Sequence, residues 1–370
     1  MMKVVDIVYY AHNDFTTPQQ VIEKHAPSFG YVEHVKERLD IQLIKHFKNE
    51  IKEEVDGVPV AFFKRSNSFW NIPLKTHLYV RSTRPDVVII EGLIFPLQII
   101  ALKVLLRRRC SIVVQHHGES PYRGYKRLLQ VIADKFINAY MFTSNGNSAE
   151  WIEQKVIRDE KKCSEVLEAS TFLSNSNKEH SRKLLDIKNG IVFLWVGRLN
   201  ENKDPLTVLE SFGKYLAAND DARLYMIYQT EELLPQINEL LQKNLFLKKA
   251  VTLVGKVVYA DMRCWYSAAD FYISGSHKEG SGYALLEAMS CGCIPIVTSI
   301  PSFQKITENG DVGFLYPPAD VEYLSAILKD LPVAEIDKLS KQVIMHFKEK
   351  LSFKNIADDI YNLCLSLHRK

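Results

Sequence analysis

The chain has 370 residues, more than one hydrophobic core ordinarily supports, so two domains are expected. Its 46% hydrophobic and 25% charged residues are those of a soluble globular protein, and a net charge of +3 gives no case for nucleic acid as a partner. Six cysteines, at 110, 163, 264, 291, 293 and 364, lack zinc or redox spacing, which points to reduced thiols in a cytoplasmic protein with no metal. The opening MMKVVDIVYY carries Asp6 inside its short apolar run and does not read as a signal peptide. The longest apolar run, 93–106, is too short to cross a bilayer and contains Lys103.

The first half alternates strand and helix patterns. Strands are predicted at Val4–Tyr9, Ile41–Ile44, Val58–Phe63, Val87–Ile90, Ile112–Gln115 and Ala139–Phe142, with helices at Pro96–Leu106 and Tyr122–Ile137 between them. Such alternation argues a parallel, doubly wound sheet with right-handed crossovers. Ligands of such sheets bind beyond the carboxyl ends of the strands. Here those positions are 10–14, Glu91-Gly92 and His116 to Glu119.

The pattern weakens from 151 to 190, and a linker is placed at 166–189. A second alternation follows. Strands are predicted at Ile191–Val196, Arg223–Tyr228, Val251–Val254, Phe271–Ile273, Ile294–Val297 and Gly313–Tyr316, and helices at Pro205–Ala218, Leu233–Asn244, Met262–Ala268 and Tyr283–Met289. Two helical patterns, Val333–Lys348 and Phe353–Leu367, end the chain. The expectation is therefore α/β: two Rossmann-like doubly wound domains, 1–165 and 190–352, facing a central cleft.

Two stretches carry chemistry. In the first, a buried strand runs into a loop with Gly275, Gly280 and Gly282, and then into a helix that starts at Tyr283. That order aims the first amides of a helix, and its positive dipole end, at the carboxyl edge of the sheet, where an anion is favoured. Glu279 in the loop and Glu287 in the otherwise apolar helix each offer a carboxylate, which accepts two hydrogen bonds from a vicinal diol such as a ribose or a sugar. Both come from one loop–helix unit, so they do not straddle a glycosidic bond as a hydrolase pair does. In the second stretch, Arg198 ends a strand and Lys203 precedes Asp204-Pro205, an N-cap followed by proline at the first helical position. Arginine would grip a diphosphate as a fork and lysine as a point charge. The chain has no Asp-x-Asp to hold a divalent ion against a diphosphate, so cations and amides would have to neutralise it.

With VGRLNENKDP (196–205), YSAADFYISGSHKEGSGYALLEAMSCGCIPIVTS (266–299) and GFLYPPAD (313–320), the sequence resembles the retaining glycosyltransferases of the GT-B fold, family four. The resemblance is continuous from about 190 to 330 and looser before that. It implies that Arg198 and Lys203, with the Gly280, Ser281, Gly282, Tyr283 and Ala284 backbone, bind the diphosphate of a nucleotide-sugar. It further implies Glu287 on the ribose, Glu279 and His117 as catalytic residues at the sugar, and Lys256 and Val257 beside the base. The final helix, about 353–370, would return to the first domain. Where relatives commonly place glycines after the first strand, this chain has His12, Asn13 and Asp14, which are assigned instead to the acceptor. The implied reaction is metal-independent sugar transfer, with retention, to a glycan or lipid-linked acceptor in cell-surface polysaccharide or glycolipid synthesis; no cofactor is expected. The alternatives are a sugar-nucleotide epimerase or hydrolase, or a catalytically inactive nucleotide-sugar-binding protein. Arg107-Arg108-Arg109 and Arg123, Lys126 and Arg127, with Leu128, Leu129 and Val131, suggest peripheral membrane contact by the first domain.

Overall fold

The protein is described here from a computed structural model, which covers all residues except 107–109, 189, 218, 220, 369 and 370. The arginine run 107–109 and the predicted helix end at Ala218 thus lie outside the described residues. The chain forms two compact units, Met1–Ser170 with Phe353–Lys370, and Thr171–Ser352.

The first unit is built on eight strands: β1 (Met2–Ala11), β2 (Leu39–His46), β3 (Ile51–Val55), β4 (Val58–Phe63), β5 (Val87–Glu91), β6 (Ser111–Gln115), β7 (Ala139–Phe142) and β8 (Cys163–Glu165). Their order is β3-β4-β2-β1-β5-β6-β7-β8, parallel except for the β3–β4 hairpin. Val88, Ile90, Ile112 and Val114 are fully buried, which is why β5 and β6 read as unbroken apolar runs. β3 escapes sequence reading because Ile51–Val55 is a half-exposed edge of mostly charged residues. Its turn is nevertheless marked by Asp56-Gly57, both at positive φ, as a two-residue hairpin requires. The order reverses between β1 and β5, so the loops after β1, β5 and β6 gather at one edge.

The second unit has β9 (Val192–Gly197), β10 (Arg223–Tyr228), β11 (Val251–Gly255), β12 (Phe271–Ser274), β13 (Ile294–Thr298) and β14 (Phe314–Tyr316), all parallel, in the order β11-β10-β9-β12-β13-β14. Its switch point lies between β9 and β12. Arg198 follows the first of these strands and the glycine loop follows the second.

Several element limits differ from the sequence pattern, for local reasons. The helix expected from Tyr122 begins at Gly124, because the Tyr122 amide donates to the Gln130 side chain (2.9 Å) and turns out of helical register. The stretch read as a linker divides at Ser170, and Lys178–Leu184 within it is a helix capped by Asn177. That helix is polar and short, without apolar periodicity; Lys178 and Arg182 instead tie it to the buried Asp270 before β12 (2.8 and 2.7 Å). In the carboxy-terminal region, the helix Ile336–His346 relaxes into a π-helical turn, Phe347–Leu351. The last helix, Phe353–His368, belongs to the first unit, where Arg38 holds Asp358 (2.7 Å) and stacks over Tyr361.

Candidate functional site

In the second unit, the two chemical stretches are one structure. Gly275 lies so close to the loop after β9 that a Cβ there would stand 2.5 Å from the carbonyl oxygen of Asp204. Across this contact the His277 amide donates to the Asn202 carbonyl (2.8 Å), and Asn202 Nδ2 donates to the Lys278 carbonyl (3.1 Å). The Asp204 carboxylate caps the helix Pro205–Leu216 by accepting from Thr207 N, and also meets His277 Nε2 (3.1 Å). Asp204 itself is left-handed, at φ 39°, a conformation a short polar side chain tolerates. Lys203 is thereby carried to Glu279, and the two form an ion pair. The sequence assigned them separately, one to a diphosphate and one to a sugar; the fold joins them.

The loop ends at Gly282, whose φ of +66° and whose contact with Phe303 (2.6 Å from a built Cβ) admit only glycine without strain. No side chain among the described residues caps the helix Tyr283–Ser290 that follows; the Leu285 and Leu286 amides donate to the Gly282 carbonyl (2.9 and 3.1 Å), which leaves those of Tyr283 and Ala284 for another partner. Gly280, Ser281, Tyr283 and Ala284 are half-buried around this start, and Gly292, at φ 91°, follows its end. Glu287 lies one turn in and is buried. Its Oε2 accepts from Tyr266 (2.8 Å), while its buried Oε1 has no hydrogen-bond partner among the described residues. Burial pushes the Glu287 carboxyl up to about 7, against the pull of the Tyr266, Tyr283 and Tyr259 hydroxyls. Tyr259 and Tyr283 join by their hydroxyls (2.9 Å). Arg198 is exposed at the end of β9; Lys256 is exposed and Val257 half-buried just past β11, on the edge strand of this sheet.

In the first unit, the loops at the switch point form a second cluster. The His117 ring sits between carboxylates, Nδ1 on Glu168 (2.6 Å) and Nε2 on Glu91, while its backbone amide donates to Glu119 (2.7 Å). Burial disfavours its charge, but Glu168 and Glu91 outweigh this and hold the ring well above the usual histidine range. Both ring nitrogens face carboxylate oxygens, an arrangement that favours the protonated ring. His116 is a buried structural residue, its Nε2 on the Glu119 carbonyl (3.0 Å). His12 meets His25 (2.7 Å), and burial lowers these two to about 4 and about 2. Asn13 donates to the Arg65 carbonyl (3.2 Å), and Asp14 is exposed.

Sequence reasoning missed Tyr266 and Glu168. Tyr266 and Glu287 both lie in the stretch 266–299, but on different helices 21 residues apart, and nothing in that stretch pairs them. Glu168 falls in the featureless stretch taken for linker.

The chain resembles known proteins in sequence and in fold. Residues 176–344 match the model of the family described as glycosyl transferases group 1. Among curated relatives, an Escherichia coli UDP-Gal:alpha-D-GlcNAc-diphosphoundecaprenol alpha-1,3-galactosyltransferase is 31% identical over 40% of this chain and 38% of its own. The alpha-monoglucosyldiacylglycerol synthase of Streptococcus pneumoniae is 26% identical over 39% of this chain and 32% of its own. The chain thus spans about a third of the length of these relatives. Among solved structures, Anabaena HepE in complex with UDP and glucose superposes with a TM-score of 0.72 at 14% identity, covering 99% of this chain and 100% of that one. Sucrose-phosphate synthase from Thermosynechococcus elongatus gives 0.70 at 15% identity, covering 99% of each. The fold is that of the GT-B glycosyltransferases, and the match to the glycosyl transferases group 1 model lies within the second unit.

Proposed function

We propose that the protein is a retaining glycosyltransferase that moves a hexose from a nucleoside-diphosphate sugar to a glycan or lipid-linked acceptor, without a metal. One observation carries the reading: at the β9/β12 switch point, uncapped helix amides, a lysine and a buried carboxylate with an unpartnered oxygen are held together in one rigid turn pair. A diphosphate fits the amides and Lys203 with Arg198, and a ribose diol fits Glu287. As the bond from the sugar's anomeric carbon to the diphosphate breaks, charge builds on the leaving oxygen, and fixed cations and amides stabilise it without reorganising. The acceptor oxygen bonds the same carbon on the same face, and its proton passes to the departing phosphate. No protein base is needed, which suits a His117 with both nitrogens occupied; Glu279 would face the sugar hydroxyls. His12, Asn13 and Asp14 would bear on the acceptor. Relatives named for lipid-borne substrates support an acceptor held at a membrane, in glycolipid or polysaccharide synthesis.

The test is release of nucleoside diphosphate from a panel led by UDP-glucose and UDP-galactose, with and without glycan and lipid acceptors and with and without chelator. Acceptor-dependent release that survives chelation and is lost in Lys203→Ala supports the reading. Release independent of acceptor indicates a hydrolase, and tight donor binding without turnover indicates a binding protein; either rejects it.

A further inference from the structure

The first unit exposes side chains that neither sheet nor helix packing uses. Trp70 stands 61% exposed, stacked at 6.1 Å and 9° on Tyr125, itself 60% exposed. Leu128, one turn along the helix Gly124–Asp134, is equally bare, and so is Leu74, which opens the helix Leu74–Thr83. These are not stray residues. Gln98 donates to the carbonyls of Phe69 and Asn71 (3.0 and 2.8 Å) and fixes the turn that holds Trp70 out, and Phe69 braces it edge-on. An ordered aromatic held in water costs free energy unless a partner covers it.

The charge around the cluster is one-sided. From Lys64 to Arg84 there are five basic residues and no acidic one. Of these, Lys75 is paired with Glu50 and Arg65 is buried, while the others remain exposed. Helix Pro96–Leu106 has no acid, and its Lys103 is half-buried with Nζ on the Cys110 carbonyl. The helix Gly124–Asp134, whose one acid is buried, is preceded by exposed Arg123 and carries the half-buried Lys126, which lies over the Phe69 ring at 4.7 Å. Aromatic rings with apolar tips, framed by cations, match the interfacial zone of an anionic bilayer, where indole and phenol sit at headgroup depth and lysine and arginine reach the phosphates. A second copy of the chain would bring the same cations against this face. Nucleic acid would use the rings and cations but leave Leu74 and Leu128 in water.

We propose that the surface centred on Trp70, Tyr125 and Leu128 docks the protein on membranes rich in anionic phospholipid. This deepens the reading of a lipid-linked acceptor, yet its test needs no acceptor. The full chain is sedimented with phosphatidylglycerol–phosphatidylcholine vesicles and with phosphatidylcholine vesicles alone, and Trp70→Ser, Leu128→Ser, Arg123→Ala and Lys126→Ala are compared by sedimentation, thermal stability and donor binding. The expected result is binding to the anionic vesicles only, weakening as salt rises. Each cation removed should weaken it about fivefold and each apolar truncation by a similar factor, with stability and donor affinity unchanged. Equal binding to neutral vesicles, wild-type binding by all four variants, or no binding overturns the proposal. So does self-association lost in Trp70→Ser, or capture of a single-stranded oligonucleotide in place of vesicles. Failure here with intact donor turnover would leave the glycosyltransferase reading standing.

Discussion

Glu287 and His117 show one physical cause working in opposite directions. Both are withdrawn from water, which penalises charge; Glu287 has only hydroxyls to offset this, whereas His117 has two carboxylates. Glu287 titrates in the fold at about 7 against roughly 4.3 unfolded, so its contribution to stability is whole below the unfolded value and is lost as pH rises through 7. Hydroxyl donors of a ribose favour the ionised form. Affinity for a nucleotide-sugar should therefore climb with pH by up to about tenfold per unit below 7, and Glu287→Gln should flatten that profile; calorimetry across the range reads both. His117 is also raised, so its contribution is complete below about 6.5 and disappears as pH passes its higher folded value. Glu168→Gln should bring the ring's titration, followed by the NMR shift of its Cε1 proton, down toward the ordinary range. An unmoved titration would mean that the 2.6 Å contact does not govern the ring.

At the level of elements, the site depends on how closely two loops approach. Gly275 has no positive φ to explain it; the nearby Asp204 carbonyl does. Gly275→Ala drives a methyl into backbone, which cannot swing aside as a flexible side chain would. A cost of about 1–3 kcal/mol is expected in the unfolding of the second unit, with loss of donor affinity as Lys203 leaves Glu279. Urea titration and donor binding measure the two effects separately. Both stretches were legible as motifs, since the strand–glycine–helix order and the Asp204-Pro205 cap are local signals. Their contact was not, because Gly275 and Asp204 are far apart in sequence and nothing at either position names the other.

For the molecule as a whole, the first unit is discontinuous: its final helix buries Phe353, Ile356 and Ile360, with the Phe353 ring over Gly30 at a spacing that leaves no room for a side chain there. Phe353→Ala should cost about 3–5 kcal/mol. Hydrogen exchange should place the loosening in residues 1–170 and 353–368 and leave 171–352 protected; uniform loosening would contradict the division. The residue string by itself determined the alternation of strands and helices, the capped helix starts and the glycine loop, because these follow from periodicity and backbone preference over a few neighbouring residues. Only the tertiary structure decided that Lys203 meets Glu279, that Tyr266 reaches Glu287, that Glu168 clamps His117 and that Trp70 is left outside. Each of these is a pairing or an exposure set by how distant segments pack, and no short window of sequence contains it.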